Sequence, residues 1–223
     1  MAKTNVLITG VGGRSVGCQL IDCLLKFPKR YRIIATDSNN FSAGLFKAHK
    51  AYIVPPASDK NYIKKLLEIA VKEHVVAILP GSQPEVSVIP EHAKKITSYG
   101  IIPMCNRWSL VEIIKNKITQ YEYLKKLGFS IPQFLLIKTK IPKKIPFNFP
   151  IIMKPTKDHA GSRNVYIIKN YSELQAIYKN MKATNTEMLI QEYIGSPEEE
   201  YTIGVISDKN GKAVDAIVMK RKI

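Results

Sequence analysis

The chain has 223 residues, of which 45% are hydrophobic and 23% charged, a composition typical of a globular α/β protein with a sizeable core. No apolar run approaches the roughly 20 residues that cross a bilayer, which excludes a membrane-spanning protein. Lysine and arginine (34) outnumber aspartate and glutamate (18), so the formal net charge is +16. The N-terminus lacks the layout of a secretory signal, and Cys18, Cys23 and Cys105 lack metal-binding spacing. We therefore expect a cytoplasmic protein.

Strand-like and helix-like segments alternate through the first hundred residues. The short apolar runs are rich in β-formers, and the segments between them carry apolar residues at helical spacing, as in Ile63, Leu66, Leu67 and Ala70. This alternation predicts a parallel sheet covered by helices on both faces, a Rossmann-like domain over residues 1–110. The expected strands are 6–9, 32–36, 51–54, 75–79 and 101–104, and the expected helices are 15–26, 59–73 and 85–99.

The pattern changes in residues 111–223. Two helical stretches follow one another, and the second is expected to end at Gly128. Three prolines then exclude regular structure between residues 138 and 150. Beyond them we expect strands at 151–154, 165–169, 188–193, 201–207 and 213–220, and a helix at 172–181. This half is predicted to be α+β, with antiparallel strands and a hairpin turn at "DKNG".

A glycine-rich turn follows the first strand in "LITGVGGRSVG". Gly10 and Gly12 fit the first two glycines of a dinucleotide-binding motif, but the third position is Ser15, and Asp37 follows later than the motif requires. An NAD(P)-dependent oxidoreductase using the Gly10–Gly17 turn is therefore the alternative function.

Tyr121 and Lys125 have the tyrosine/lysine spacing of short-chain dehydrogenases. In a chain with this many lysines and tyrosines, the spacing is expected by chance, and the antiparallel second half is the wrong context for it. We interpret both residues as ordinary helix residues.

Substrate contacts are expected where the parallel sheet opens at the carboxyl ends of its strands. Gly12 and Gly13 follow the first strand, and Glu85 follows the fourth in "LPGSQPE". These three residues are candidates for contacting substrate. Glu85 could equally start a helix at its favourable end.

The basic charge raises nucleic-acid binding as a further alternative. The lysines are scattered as pairs along expected helices, where they are typical of solvated faces, and no nucleic-acid-binding motif accompanies them. Specific nucleic-acid binding is therefore not expected. A basic cleft would also suit a nucleoside triphosphate.

Residues suited to phosphate and nucleoside binding lie in the second half. Lys154 ends the apolar run "PIIMK" and precedes a loop with Gly161 and Ser162, whose amides could close over phosphate oxygens. The later segment "MLIQEYIGSPEEEYTIGV" combines an extended backbone for adenine with carboxylates for ribose. Taken one at a time, these features have simpler explanations: Lys154 could be an ordinary exposed lysine, and the carboxylates could belong to a solvated acidic loop.

Together these motifs resemble the ATP-grasp family. The resemblance rests on the order of "NKITQYEYLKKLGFSIPQF", "IIMKP", "GSRNV", "IQEYIGSPEEEYTIGV" and "VMKRKI". It is strongest to the pre-ATP-grasp and first ATP-grasp portions of the carbamoyl-phosphate synthase large subunit, and biotin carboxylase is more distant. It implies a pre-ATP-grasp domain over residues 1–110 and an incomplete ATP-grasp domain over 111–223.

The resemblance also implies which residues bind the phosphates of ATP. Lys117 and Lys154 match the phosphate-binding basic residues of the family. The loop that covers the phosphates is matched by Gly161, Ser162 and Arg163.

The adenosine contacts implied by the resemblance follow the strand at 188–193. Gln191 and Glu192 match the hinge, where Glu192 would hold the adenine amino group and the backbone of the next residues, Tyr193 and Ile194, would pair with the ring edge. Glu200 matches the ribose carboxylate. An extra residue in this loop leaves its neighbour, Glu199, as a competitor.

The family chemistry that the resemblance implies is carboxylate activation: ATP phosphorylates a small carboxylate substrate, and an amine or similar nucleophile attacks the acyl phosphate. Magnesium is the expected cofactor, with its ligands beyond residue 223 and none in this chain. We therefore expect a fragment or one half of a split protein, inactive alone. A homodimer or a separate C-terminal polypeptide is the expected protein partner.

Overall fold

The computed structural model describes residues 2–13, 15–137, 140–157, 164–182 and 187–221. The chain divides into two compact units, Met1–Lys115 and Asn116–Ile223. This division falls a few residues after the predicted boundary near residue 110. The architecture is mixed α/β, with a parallel sheet first and antiparallel sheets after it, and it confirms the expected fold class.

The first unit is built on a five-stranded sheet in which every described pairing is parallel, in the order β3-β2-β1-β4-β5. All of its helices except the last, which follows the final strand, connect successive strands, as the alternating pattern predicted. The strands are β1 (Thr4–Thr9), β2 (Tyr31–Asp37), β3 (Lys50–Ile53), β4 (Ala77–Leu79) and β5 (Ile102–Pro103). The helices are α1 (Val16–Leu25), α2 (Ala43–Lys47), α3 (Tyr62–Lys72), α4 (Gln83–Val88), α5 (Ala93–Ser98) and α6 (Trp108–Ile114).

Helices cover both faces of the central strands of this sheet. Successive side chains of a strand point to opposite sides, so each face has its own apolar cluster. Leu7 packs with Ile34 and the apolar stripe of α3, whereas Val6 and Ile8 pack with Ile21 of α1. Strands covered on both faces read as continuous apolar runs, which is the pattern that the sequence shows.

The single helix expected over residues 85–99 is wrong. The segment forms α4, a 3₁₀ turn at Pro90–His92 and then α5. Pro90 has no backbone N–H to donate, and its ring disfavours a continuous α-helix through that position. The proline therefore divides the segment.

The second unit contains a four-stranded antiparallel sheet in the order β6-β9-β7-β8. Its core gathers apolar side chains of the sheet around Leu174 of α8. The strands are β6 (Phe134–Ile137), β7 (Ile151–Pro155), β8 (Tyr166–Ile168) and β9 (Met188–Glu192), and the helices are α7 (Lys117–Lys126) and α8 (Tyr171–Lys182). Gly128 follows α7 with φ +83°, which suits its expected place at the end of that helix.

A separate two-stranded antiparallel ribbon completes this unit, formed by β10 (Tyr201–Ser207) and β11 (Ala213–Lys220). Asp208 shapes the connecting turn, since its Oδ1 accepts from the backbone N–H groups of Asn210 and Lys212. The side chains of both strands are largely exposed. No helix in the described part of the chain is long and apolar enough to cross a membrane.

Candidate functional site

Lys154 and Lys117 approach each other at one end of the second unit. Lys154 lies near the end of β7, and Lys117 opens α7, where its backbone N–H donates to the carbonyl oxygen of Thr156 at 2.8 Å. Burial and, second, the positive charge of Lys117 lower the pKa of Lys154 to about 8. Two like charges brought together at a partly buried position form a site that an anion would stabilise.

A hydrogen-bonded chain connects Lys154 to β9. Lys154 Nζ donates to Tyr121 Oη at 2.7 Å, and Tyr121 Oη donates to Gln191 Oε1 at 2.7 Å. The Tyr121 ring also packs against Phe134, with centroids 5.2 Å apart. These hydrogen bonds orient the Lys154 side chain and connect α7, β7 and β9.

The sequence does not reveal this role of Tyr121, since its spacing from Lys125 indicates only an ordinary helix residue. The available signal was its position four residues after Lys117, because residues four apart share one face of a helix. Lys125, one further turn along, is exposed and fits its interpretation as an ordinary helix residue.

Glu192 ties the end of β9 to the segment before β6. Its Oε1 accepts from the backbone N–H of Gln133 at 2.8 Å, and its own N–H donates to the Gln133 carbonyl at 3.0 Å. Tyr193 and Ile194 follow directly, and Ile194 is 65% exposed. One oxygen of the carboxylate expected to hold the adenine amino group is thus already hydrogen-bonded within the protein.

The two candidate ribose carboxylates differ in their partners. Glu200 forms an ion pair with Arg221, whose backbone N–H also donates to the Glu200 carbonyl at 2.8 Å. Glu199 Oε2 accepts from Ser196 Oγ at 3.3 Å and, within the described part of the chain, forms no ion pair. Ribose binding by Glu200 would therefore compete with Arg221. The loop expected to cover the phosphates, Gly161, Ser162 and Arg163, lies outside the described residues.

A cavity of about 440 Å³ lies in the first unit, at the carboxyl ends of the parallel strands. The loops that follow β1, β2, β3 and β4 line it. Gly12 and Glu85, two of the three candidate substrate residues, are lining residues, and the third, Gly13, is not one of them. Asp37, at the end of β2, lines the same cavity.

Gly10 is required for the shape of this cavity. It has φ +58°, and a side-chain carbon there would lie 2.6 Å from Cβ of Ser82 and also collide with the Glu85 carboxylate. The glycine thus lets the loop after β4 pack directly against the turn after β1. This close packing accounts for a glycine at position 10, and no bound phosphate is needed to explain it.

Glu85 is buried, with 7% of its surface exposed, in the first turn of α4. Its carboxylate accepts a hydrogen bond from Ser82 Oγ. Burial raises the pKa of Glu85; the hydrogen bond from Ser82 opposes this change, and the negative charge of Asp37 adds to it. Among the described residues, no group of three or more His, Cys, Asp or Glu could hold a metal ion.

Two family models match the chain in succession. Residues 6–104 match the PylC-like N-terminal domain, and residues 114–219 match the RimK-like ATP-grasp domain. The boundary between the two matches lies close to the boundary between the two compact units.

Curated proteins are similar to parts of the chain in sequence, and solved structures are similar to it in fold. The chain is 26% identical over 119 residues to D-alanine–D-alanine ligase of Lacticaseibacillus casei, covering 53% of this chain and 30% of that protein. It is 31% identical over 100 residues to N5-carboxyaminoimidazole ribonucleotide synthase of Aquifex aeolicus, covering 44% and 27%. The Staphylococcus aureus N5-carboxyaminoimidazole synthetase complexed with ADP has a TM-score of 0.65 at 18% identity, covering 87% of this chain and 49% of that one. The chain therefore spans half or less of the length of these relatives.

Proposed function

Since this chain belongs to the ATP-grasp family of ATP-dependent ligases, we propose that it binds ATP through the second unit and activates a carboxylate as an acyl phosphate. The observation that carries the proposal is the proximity of two positive charges, Lys154 and Lys117, next to the hydrogen bonds that connect Lys154 to Tyr121 and Gln191. In this role the two lysines neutralise phosphate oxygens, which removes their mutual repulsion.

The remaining ATP contacts are proposed from the family pattern. Glu192 and the backbone of Tyr193 and Ile194 would receive the adenine. Glu200 or Glu199 would accept from the ribose hydroxyls. For Glu200, this requires Arg221 to move away or to turn its guanidinium towards the nucleotide.

The reaction needs positioning and charge neutralisation more than covalent chemistry by the protein. Phosphoryl transfer from ATP to a carboxylate gives an acyl phosphate and ADP, and attack by an amine then releases phosphate. Magnesium would supply further neutralisation of the phosphate charge, but the described residues offer no cluster to hold it, so we assign it no residue here. The greater likeness to carbamoyl-phosphate synthase stays a prediction, and the relatives named above favour a ligase that joins a carboxylate to an amine.

The decisive experiment is thermal unfolding of the 223-residue chain with ATP and magnesium. ATP binding raises the melting temperature by mass action, since the unfolded chain has no site. We expect Lys154→Met to abolish this rise and Lys117→Met to reduce it. Lys125→Met, which removes an exposed lysine of the same helix, should leave it unchanged.

Two results would contradict the proposal. One is an ATP-dependent rise that survives in Lys154→Met. The other is stabilisation by NAD(H) with none by ATP, which would favour the alternative oxidoreductase. Glu200→Gln and Glu199→Gln, compared in the same assay, identify which carboxylate contributes to nucleotide affinity.

A further inference from the structure

The amino group of Lys154 is held by a neutral partner. Nζ donates to Tyr121 Oη at 2.7 Å and lies 5.3 Å from the centroid of the Tyr121 ring. Among the described residues, Lys154 forms no ion pair with an aspartate or a glutamate. A lysine that loses its proton in these surroundings gives up no ion pair, so the neutral amine costs less here than it would beside a carboxylate.

The hydrogen bonds around Nζ persist when the amine is neutral. Tyr121 Oη uses its single proton to donate to Gln191 Oε1 at 2.7 Å, so it acts as an acceptor towards Lys154. Burial raises the pKa of Tyr121, so the phenol keeps this proton while Lys154 titrates. A neutral amine has two N–H groups and a lone pair. One N–H maintains the contact with Tyr121, and the lone pair is left for bond formation.

Lys117 places a second positive charge next to this amine. Its backbone N–H donates at 2.8 Å to the carbonyl oxygen of Thr156, two residues after Lys154, and this contact fixes the start of α7 beside the end of β7. A lysine that is partly buried next to another cation is an activated amine, because both effects favour its neutral, nucleophilic form. The same two effects lower the pKa of Lys154 to about 8.

An acyl phosphate fits this pair of lysines. Its phosphoryl group is an anion and is attracted by the positive charge of Lys117. Its carbonyl carbon is an electrophile and reacts with an uncharged amine, which Lys154 supplies. A thioester or an uncharged ester has the same electrophilic carbon without a phosphoryl group beside it. The two lysines therefore favour an acyl phosphate over other acyl donors.

We propose that Lys154 is a site of covalent modification, acylated at Nζ by small acyl phosphates, and that the acylated chain no longer binds ATP. The lone pair of Nζ attacks the carbonyl carbon, and the bond from that carbon to the phosphate oxygen breaks. The departing phosphate takes up the proton that Nζ loses, so the products are an amide and inorganic phosphate. The amide is uncharged and cannot neutralise a phosphate oxygen of ATP. The loss of ATP binding rests on the proposed function, whereas the acylation itself does not.

The test is acetylation of the 223-residue chain by acetyl phosphate without ATP, followed by mass spectrometry of its peptides. At neutral pH we expect Lys154 to react about tenfold or more faster than Lys125, an exposed lysine, because a larger fraction of Lys154 is neutral. The rate at Lys154 should level off above pH 8, whereas the rate at Lys125 should keep rising.

A second reagent tests the role of the phosphoryl group. Lys117→Met should slow the modification of Lys154 by acetyl phosphate more than its modification by the uncharged N-hydroxysuccinimide ester of acetate. The same loss in both reactions would overturn the preference for acyl phosphates.

Thermal unfolding of the acetylated chain tests the consequence for ATP. The ATP-dependent rise in melting temperature should fall in proportion to the modified fraction of Lys154. Lys154→Arg is the matched control, since its guanidinium is not acetylated, and the same treatment should leave its response to ATP unchanged.

Two outcomes overturn this inference: Lys154 reacts no faster than Lys125, or full modification of Lys154 leaves the ATP-dependent rise intact. The unmodified chain separates the inference from the proposed function. Fast acetylation of Lys154 in a chain that ATP does not stabilise overturns only the ATP site. Stabilisation by ATP without faster acetylation overturns only the modification site.

Discussion

At the residue scale, Lys154 differs from the other described lysines because its environment disfavours the charged form of its side chain. It is partly buried, Lys117 lies nearby, and its only described hydrogen-bond partner is the neutral hydroxyl of Tyr121. The charge thus lowers stability in the absence of a ligand and contributes binding energy when an anion arrives. Such perturbed groups in clefts are more frequent at functional sites than elsewhere.

This environment predicts a pH dependence of nucleotide binding. The pKa of Lys154 is about 8 in the free protein, so the ammonium form dominates below pH 8 and is lost as the pH rises through that value. ATP affinity should therefore decline above pH 8, well before an ordinary lysine loses its proton. ATP titrations on either side of pH 8 measure this decline. Lys154→Arg keeps its charge throughout, and an equal decline in that variant would show that another group is responsible.

Glu73 is a second residue with an unusual environment, but its role is structural. Its side chain is 4% exposed and accepts contacts from Lys50 Nζ at 2.7 Å, from the Tyr52 hydroxyl and from Arg32 at 2.9 Å. The hydrogen bond from Lys50, followed by that from Tyr52, lowers the pKa of Glu73 to about 2. The network joins β2 and β3 to the end of α3.

Glu73→Gln should therefore destabilise the first unit, by about 2 kcal/mol at neutral pH, because it removes the buried carboxylate charge that Lys50, Arg32 and the Tyr52 hydroxyl share. The folded state lowers this pKa, so the stabilisation is full above the ordinary value of 4.5 and is lost as the pH falls toward 2. The difference in unfolding free energy between wild type and variant should shrink over that pH window.

Fluorescence of Trp108, the single tryptophan and part of this unit, follows the unfolding in urea. Glu68→Gln, an exposed residue paired with Lys65, is the control and should change stability by less than about 0.5 kcal/mol.

At the element scale, the β10–β11 ribbon contrasts with the sheet that precedes it. Ile203, Val205 and Val218 are 63%, 58% and 63% exposed, whereas the isoleucines of β7 and β9 in the core are fully buried. An isolated two-stranded ribbon is marginally stable in water, since neither face is covered. A group of exposed apolar side chains like that of the ribbon is typical of a surface that becomes buried in a contact with other protein.

A pair of isoleucine substitutions checks this difference. Ile203→Lys should change the stability of the 223-residue chain by less than about 0.5 kcal/mol, since the side chain is already in water. Ile190→Lys in β9 places a charge in the core and should unfold the second unit. Hydrogen exchange should show fast amides in the ribbon and slow ones in β7 and β9. Slow exchange in the ribbon would mean that its faces are covered in solution.

At the scale of the whole molecule, the dominant property is the net charge of +16. Most of the described lysines that create it are exposed, both on helices and in loops, so the charge attracts polyanions without selecting among them. The specific anion site proposed above is different, because its lysines are held by packing and by the Tyr121 chain.

Ionic strength should separate these two kinds of binding. RNA oligonucleotides should bind at low salt and dissociate steeply as salt approaches the physiological range, because their binding depends on counterion release. ATP should remain bound there, since its partly buried contacts are screened less. Filter binding of RNA and calorimetry of ATP, over one salt series, measure both. Sequence-selective RNA binding at physiological salt would revive the nucleic-acid alternative.

Much of the fold could be predicted because it depends on local patterns. Apolar runs and helical stripes defined the strands and helices of the first unit, and prolines and glycines marked several of their ends. The break between α4 and α5 was missed although Pro90 was visible, because the apolar periodicity continues past it. The short helix α2 was missed as well, since five residues are too few to show a period.

Periodicity and the order of short motifs are local features, so they were sufficient to predict the alternation of strands and helices, the antiparallel second half and the resemblance to ATP-grasp proteins. Which side chains contact one another could be read only from the folded chain. Lys154 lies 33 residues from Tyr121, and Tyr121 lies 70 residues from Gln191. The pairing of Asp37 with Glu85 in one cavity likewise follows from the strand order, which places the ends of β2 and β4 on either side of β1. No local pattern records such distances, since the sheet brings together residues that the chain keeps far apart.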